Sequence, residues 1–328
     1  MKHRRVFALA GLFFVLSAVL SLCLGAANLS LSELWQAVLR GPTYNNGWIF
    51  WYSRFPRTIG CLLSGAALAV SGAIIQAVLN NKLASPSIIG VNAGAGLAVT
   101  LCCSFGFLSG WAIAGSSFLG ALLSVLAVMF VSRKTGASRS TVFLSGVAIN
   151  SFLNAISEGI VVLFPDVGML SGDFRVGGFS SINHNRLIPA GILIVVSLMI
   201  LFSLCNELDV LSLGEESAQG LGMNVKRTRS MFLLLAAMLA GASVSFAGLL
   251  GFVGLIVPHG ARKLVGSESR VLIPLCALGG AGFVCACDLA ARLLFAPYEL
   301  PVGILMAVLG GPFFLLLLAK RKGGHSND

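Results

Sequence analysis

Long apolar runs alternate with short polar breaks along almost the whole chain. Ten such runs fall at about 6–25, 57–79, 91–108, 111–131, 141–164, 187–205, 229–249, 250–265, 271–295 and 301–319. A bilayer core needs about 20 apolar residues per helix. The pattern therefore predicts an all-α polytopic membrane protein with about ten transmembrane helices and no separate soluble domain. The eighth run is short and is interrupted by Pro258. The start, "MKHRRVFALAGLFFVLSAVLSLCLGAAN", has the basic head, apolar middle and small-residue end of a signal peptide. Its apolar stretch from Val6 to Leu24 is longer than a usual signal core, so it reads as an uncleaved first helix.

The polar breaks differ in character. On one side, 26–54 contains "LSLSELWQAVLRG", a short amphipathic interfacial helix, followed by Trp48, Phe50, Trp51 and Tyr52, aromatic residues suited to the membrane–water boundary. The break at 165–186, on the same side, reads as a polar, Gly-rich loop. On the other side, 206–228 is the one break long enough for a helix of its own. Its expected span is Glu215 to Leu221, with acids in the first turn and Gly222 at the end. Such a helix is too short to be stable alone in water. Either it docks on a partner or the segment is a solvated loop.

Composition strengthens the membrane reading. Of 328 residues, 57% are hydrophobic and 10% charged, against roughly 25% charged in soluble domains; the mean hydropathy is +0.93. Ten spans put both termini on one side. Of the 22 Lys and Arg, only Arg40, Arg54, Arg57, Arg175, Arg186 and Arg292 fall on the opposite side. The positive-inside rule then makes both termini cytoplasmic. Basic loops facing anionic headgroups also account for the net charge of +10, with no nucleic-acid partner. The eight cysteines lie in or beside apolar runs and form no CxxC pair, so neither a disulfide framework nor a metal site is expected.

Several chemistries are not signalled. There is no GxxxxGK[ST] phosphate loop, no HExxH and no GxSxG, and the four histidines are scattered. The chain is expected to hydrolyse no nucleotide and to perform no covalent catalysis. Three constellations remain. Asn150, Asn154, Ser157 and Glu158 share one face of the fifth span. They form either the polar wall of a translocation path or a set of helix–helix hydrogen bonds. Asp288 and Arg292 are four apart on the ninth span, a spacing that lets them pair locally. Arg54 and Arg57 bracket "RFPR" with no acid nearby in sequence. They either snorkel or meet acids of an extracytoplasmic partner.

An internal repeat is also suggested. "GAALAVSGAI" (65–74) and "GASVSFAGLL" (241–250) begin the same way, and each precedes a Pro-containing break. They lie on the second and seventh spans. An offset of five spans reverses direction, so the repeat would be inverted, as in many transporters.

Four stretches together resemble the FecCD family of ABC-importer permeases: "RFPRTIGCLLSGAALAVSGAIIQAVLNNKLASPSIIGVNAGAG" (54–96), "LGEESAQGLGMNVKRTR" (213–229), "GFVGLIVPHGARKLVG" (251–266) and "DLAARLLFAPYELPVGILMAVLGGPFFLLLL" (288–318). In "NNKLASP" Lys82 departs from the family pattern, which more often has proline there. The resemblance implies one permease domain over 1–328 with ten helices, an inverted repeat of helices 2–5 and 7–10, and a short cytoplasmic coupling helix. It implies a bacterial inner-membrane location and an importer for an iron chelate, with a ferric siderophore preferred and haem or cobalamin as alternatives. The implied partners are a second permease, a copy or a paralogue, two cytoplasmic ABC ATPases carrying ATP and Mg²⁺, and an extracytoplasmic substrate-binding protein. This chain itself is expected to hold no cofactor or metal. Gly214, Glu215, Glu216, Ala218, Leu221 and Gly222 match the ATPase-coupling helix. Arg54, Arg57 and Arg292 match positions that meet the binding protein, and the fifth helix matches the path. The rival from another class is an ion-gradient-driven secondary transporter, for which Glu158 and Asp288 are the available intramembrane acids.

Overall fold

The computed structural model describes residues 2–25, 30–43, 46–134, 138–296 and 298–322. Among them, regular structure is helical throughout. The helices are α1 (Lys2–Cys23), α2 (Leu31–Arg40), α3 (Phe55–Val78), α4 (Val91–Ser104), α5 (Gly110–Lys134), α6 (Arg139–Leu163), α7 (Pro165–Val176) and α8 (His184–Ser203). They continue with α9 (Cys205–Ser212), α10 (Glu215–Gly220), α11 (Val225–Ala247), α12 (Val253–Val265), α13 (Ser269–Leu294) and α14 (Val302–Lys322). A π-helical turn, Ile49–Arg54, runs straight into α3, and a 3₁₀ turn, Pro86–Ile89, precedes α4.

Among the described residues, seven helices are long and apolar enough to cross a membrane: α1, α3 with its π-turn, α5, α6, α8, α11 and α13. The other three expected runs fold as α4, α12 and α14. Of these, α4 and α12 have 14 and 13 residues. Helix α12 starts late because Gly248 (φ +70°) and Phe252 (φ +65°) both take left-handed backbone, which ends α11 and breaks the run. The amphipathic helix expected after residue 26 is α2; residues 26–29 and 44–45 lie outside the described part. A capping box starts α2: Ser30 Oγ accepts from Glu33 N, and Glu33 Oε2 accepts from Ser30 N at 2.8 Å. The bond from the Ser30 backbone holds the Glu33 carboxyl below its ordinary pKa.

Two elements depart from expectation. The supposed loop 165–186 contains α7. Pro165 and Asp166 open that helix and Arg175 closes it, the usual arrangement of fixed φ first, acid early and base late. The segment 206–228 holds α9 as well as α10.

The core forms around α3 and α11, both mostly buried. Small polar residues join them: Ser64 and Ser243 hydroxyls lie 2.6 Å apart, and Ser71 Oγ donates to the Ala236 carbonyl at 2.7 Å. Helix α13 runs antiparallel to α3. Arg57 meets Asp288 at one end, a Cβ on Gly65 would strike the Gly280 carbonyl midway, and Ala73 and Gln76 share a small cavity with Ser269 and Leu272 at the other. These are called the Arg57 end and the Gln76 end below. Helix α12 contacts α3 as closely, for a Cβ on Gly72 would strike the Gly254 carbonyl. Pro258 has no N–H for that carbonyl four residues back. Gln76 Nε2 replaces it, donating to Gly254 O at 3.0 Å. The interior proline is thus satisfied by a side chain of the neighbouring helix. At the periphery, α1 and α6 bury few residues.

Candidate functional site

At the Gln76 end, the segment α9–α10 is bonded to three long helices. Its Cys205, Leu208 and Leu211, three apart, form a buried stripe. Burial pushes the Cys205 thiol pKa up, so it packs as a small hydrophobe. Asp209 accepts from Ser269 N at 3.0 and 3.2 Å and from Ser269 Oγ at 2.6 Å. A carboxylate there satisfies an orphan N–H at the start of α13 and favours its dipole. Arg139 Nη2, at the start of α6, donates to Leu211 O at 2.9 Å. Glu215 pairs with Arg229 of α11 at 3.0 Å.

Helix α10 lies between Gly214 (φ +126°) and Gly222 (φ +81°). It closes with a Schellman motif: Met223 N donates to Ala218 O at 3.0 Å and Gly222 N to Gln219 O at 2.8 Å. Only Ala218 is fully buried; Glu216, Ser217, Gln219, Leu221 and Gly222 are exposed. The helix ends one residue before the expected Leu221. It is held by its neighbours on one side and presents a small, mixed surface on the other.

At the Arg57 end the three arginines turn inward. Arg54, Arg57 and Arg292 are 3%, 8% and 3% exposed. Asp288, fully buried, lies between Arg57 and Arg292. It accepts from Arg57 Nε and Nη2 at 3.0 Å and sits 3.0 Å from Arg292 Nε. The acid that sequence proximity did not offer to Arg57 thus comes from 231 positions away. Arg57 Nη1 also reaches Glu299, half-exposed, at 2.7 Å. Arg54 donates to the Leu22 and Cys23 carbonyls at 3.0 and 2.5 Å, and Arg292 to Leu24 O at 3.3 Å and Ser21 Oγ at 2.8 Å. The three carbonyls are orphan groups at the end of α1, which has no basic residue in its own last turn. Cations from α3 and α13 therefore cap α1. The expected local pair of Asp288 with Arg292 is present, and Arg57 joins it to make a triad. In this conformation all three arginines are committed to partners within the chain.

On α6 the four singled-out residues divide. Asn150 Nδ2 donates to Ser87 O at 2.6 Å and to Ile88 O at 3.0 Å, holding the 3₁₀ turn. Ser157 is buried and receives Arg175 Nη2 at 2.7 Å; Thr100 Oγ1 lies 3.0 Å away. Asn154 and Glu158 are exposed. At about 100° per residue the four cover an arc of about 100°, so one edge faces the bundle and the other faces out. The hydrogen-bonding reading applies to Asn150 and Ser157, which tie α6 to its neighbours. Arg175, which anchors Ser157 from α7, was not singled out by sequence. Its signal was a lone basic residue on the side poor in basic residues.

Residues 13–320 match the FecCD transport family. The chain belongs to that family. It is 38% identical over 323 residues to the iron(3+)-hydroxamate import system permease protein FhuB of Bacillus subtilis, covering 96% of this chain and 83% of the relative. It is 34% identical to the hemin transport system permease protein HmuU of Yersinia pestis, covering 95% of this chain and 96% of the relative. Among solved structures, a metal-chelate-type ABC transporter in an inward-facing conformation superimposes with a TM-score of 0.84 at 30% identity. That match covers 97% of this chain and 99% of the other. This member of the FecCD family is a transport component, and its apolar helices fit a multi-pass membrane protein.

Proposed function

We propose that this chain is the permease subunit of an ATP-binding-cassette importer for an iron chelate, with a ferric siderophore as the preferred cargo. The observation that carries the coupling part is the α9–α10 segment. It exposes a short helix and is bonded behind it to α6, α11 and α13 through Arg139, Arg229 and Ser269. Force applied to α10 by a cytoplasmic ATPase would reach three long helices at once. Gly214, Glu215, Glu216, Leu221 and Gly222 form that receiving surface, with Ala218 buried behind it.

In this reading the chain has ten spans with both termini in the cytoplasm, in a bacterial inner membrane. It pairs with a second permease and binds two ATPases that hold ATP and Mg²⁺. An external binding protein delivers the chelate. The ATPase cycle moves the coupling helices, and the paired permeases open alternately to each side. The polar outward edge of α6, Asn154 and Glu158, faces the path, while Asn150 and Ser157 hold that helix in place. An inverted repeat is supported by the packing: α3 against α13 is answered by α11 against α5, and α3 meets α11 at Ser64 and Ser243. Left-handed residues, Gly90 and Phe252, precede both α4 and α12.

For docking of the binding protein, Arg57 is the best placed of the three arginines. Its Glu299 partner is half-exposed, so an incoming carboxylate competes with an accessible acid. Arg54 and Arg292 would support the surface from beneath. Haem is kept as the second cargo because a hemin permease matches over nearly the full length.

The test is reconstitution of the chain with its ATPases and binding protein in liposomes. Uptake of ferric siderophore should require ATP. Glu216→Lys, on the exposed face of α10, should cut uptake by about tenfold, a loss of about 1.4 kcal/mol in coupling, while the ATPase stays active. Uptake by the chain alone under a proton gradient would overturn the importer reading, and unchanged uptake in Glu216→Lys would overturn the coupling role.

A further inference from the structure

A groove of about 660 Å³ opens at the Gln76 end, beside but distinct from the α9–α10 segment. The α3–α4 turn supplies Asn80, Asn81 and Lys82. Helix α12 supplies His259 and Lys263, four apart and so on one face, and Leu317 of α14 closes one wall. Its volume lies in the range of small-ligand sites, about 300–1,000 Å³.

The chemistry of the lining is one-sided. Among the described residues no carboxylate lines the groove and neither lysine makes an ion pair. The third cation of α12, Arg262, is turned elsewhere, to Gln76 Oε1 and to Ala73 O at 3.4 Å. His259 Nε2 is buried without a hydrogen-bond partner, while the ring is held edge-on against Phe313 at 5.9 Å. A buried polar atom with no partner is costly and marks a place where a partner is missing. Asn81 adds a donor. Its Oδ1 must be the atom that accepts from Leu83 N at 3.0 Å, which leaves the amide NH₂ to donate.

The turn itself is fixed. Helix α3 ends in a Schellman motif with Asn80 left-handed at φ +48°: Asn81 N donates to Gln76 O at 3.0 Å and Asn80 N to Ala77 O at 3.1 Å. Lys82 follows immediately, at the position where the sequence departs from the family pattern.

We propose that this groove is an oxyanion site, taking a phosphate or carboxylate group between Lys82, Lys263 and His259, with Asn81 as a further donor. Two lysine ammoniums in one groove repel each other, and an anion between them removes that repulsion and gains two charge-assisted hydrogen bonds. The same oxyanion chemistry is offered by the headgroup of an anionic lipid and by a soluble polycarboxylate or phosphate.

The experiment measures amine labelling of individual lysines by mass spectrometry, using the full chain in nanodiscs. It needs neither ATPase nor transport, so its outcome is independent of the importer reading. One arm uses phosphatidylcholine discs with and without citrate or inorganic phosphate. The other replaces phosphatidylcholine with phosphatidylglycerol. Labelling of Lys82 and Lys263 should slow together, about threefold at roughly twice the dissociation constant, while exposed Lys226 is unaffected. Lys82→Gln, an exposed turn substitution, should abolish the protection of Lys263. Protection by citrate or phosphate in phosphatidylcholine identifies a soluble anion, and protection only with phosphatidylglycerol identifies a lipid headgroup. Unchanged labelling in both arms, or equal protection of Lys226, overturns the site.

Discussion

Two arginine–carboxylate pairs, one at each end of the molecule, have the same 3.0 Å separation and different surroundings. Asp288 has no exposure and serves two guanidiniums, one of which, Arg292, also holds the end of α1. Glu215 serves Arg229 from a side chain that is 37% exposed, on a six-residue helix whose outer side is exposed. The first pair is a fixed junction of α1, α3 and α13. The second is a contact that can be remade cheaply. An alternating-access protein needs both kinds, and burial rather than pair distance tells them apart. Removing one partner of a buried pair costs about 3–5 kcal/mol, because the remaining charge is stranded. Asp288→Ala strands two, so its thermal unfolding in detergent should show a loss in that range or failure to accumulate folded protein. Asp288→Asn should fall between that and the natural protein. A natural melting profile for Asp288→Ala would break the comparison.

The next effect tests whether α3, which joins the two ends, is as tightly seated at the Gln76 end. A methyl on Gly72 collides with the Gly254 carbonyl, which also accepts the Gln76 bond that compensates for Pro258. Gly72→Ala should therefore cost about 1–3 kcal/mol, as overpacking does. Gly115→Ala, with open space beside it, should leave the melting profile unchanged. Equal behaviour of the two variants in thermal unfolding would show that α3 yields near α12.

The contrast between the two ends was only partly legible in sequence. Apolar run length predicted a helix for each of the ten runs, since hydrophobicity and length are local properties. Boundaries slipped where local backbone decided, as at Gly248 and Phe252 before α12. The α10 helix was readable from Gly214, its leading acids and Gly222, because capping is written in adjacent residues. Helices α7 and α9 were missed: both are short, and α9 has only eight residues. The destination of Arg57 was not readable at all. Its acid lies on another helix 231 positions away, and only the antiparallel register of α3 and α13 brings them together. A charge reversal at Arg54 would uncap α1, because Arg54 holds the Leu22 and Cys23 carbonyls.

The smallest effect sharpens the comparison most. Glu215→Gln keeps an acceptor for Arg229 and removes only the charge. The difference between a charge-assisted and a neutral hydrogen bond is about 1 kcal/mol, and solvent at the half-exposed carboxylate reduces it further. Thermal unfolding should therefore shift little. The ratio of chelate imported to ATP hydrolysed should fall clearly, because α10 would lose its ionic tie to α11 while keeping its fold. A ratio equal to that of the natural protein, with the same small change in stability, would mean that force passes through Asp209 and Arg139 alone, and that the weak pair at this end is dispensable.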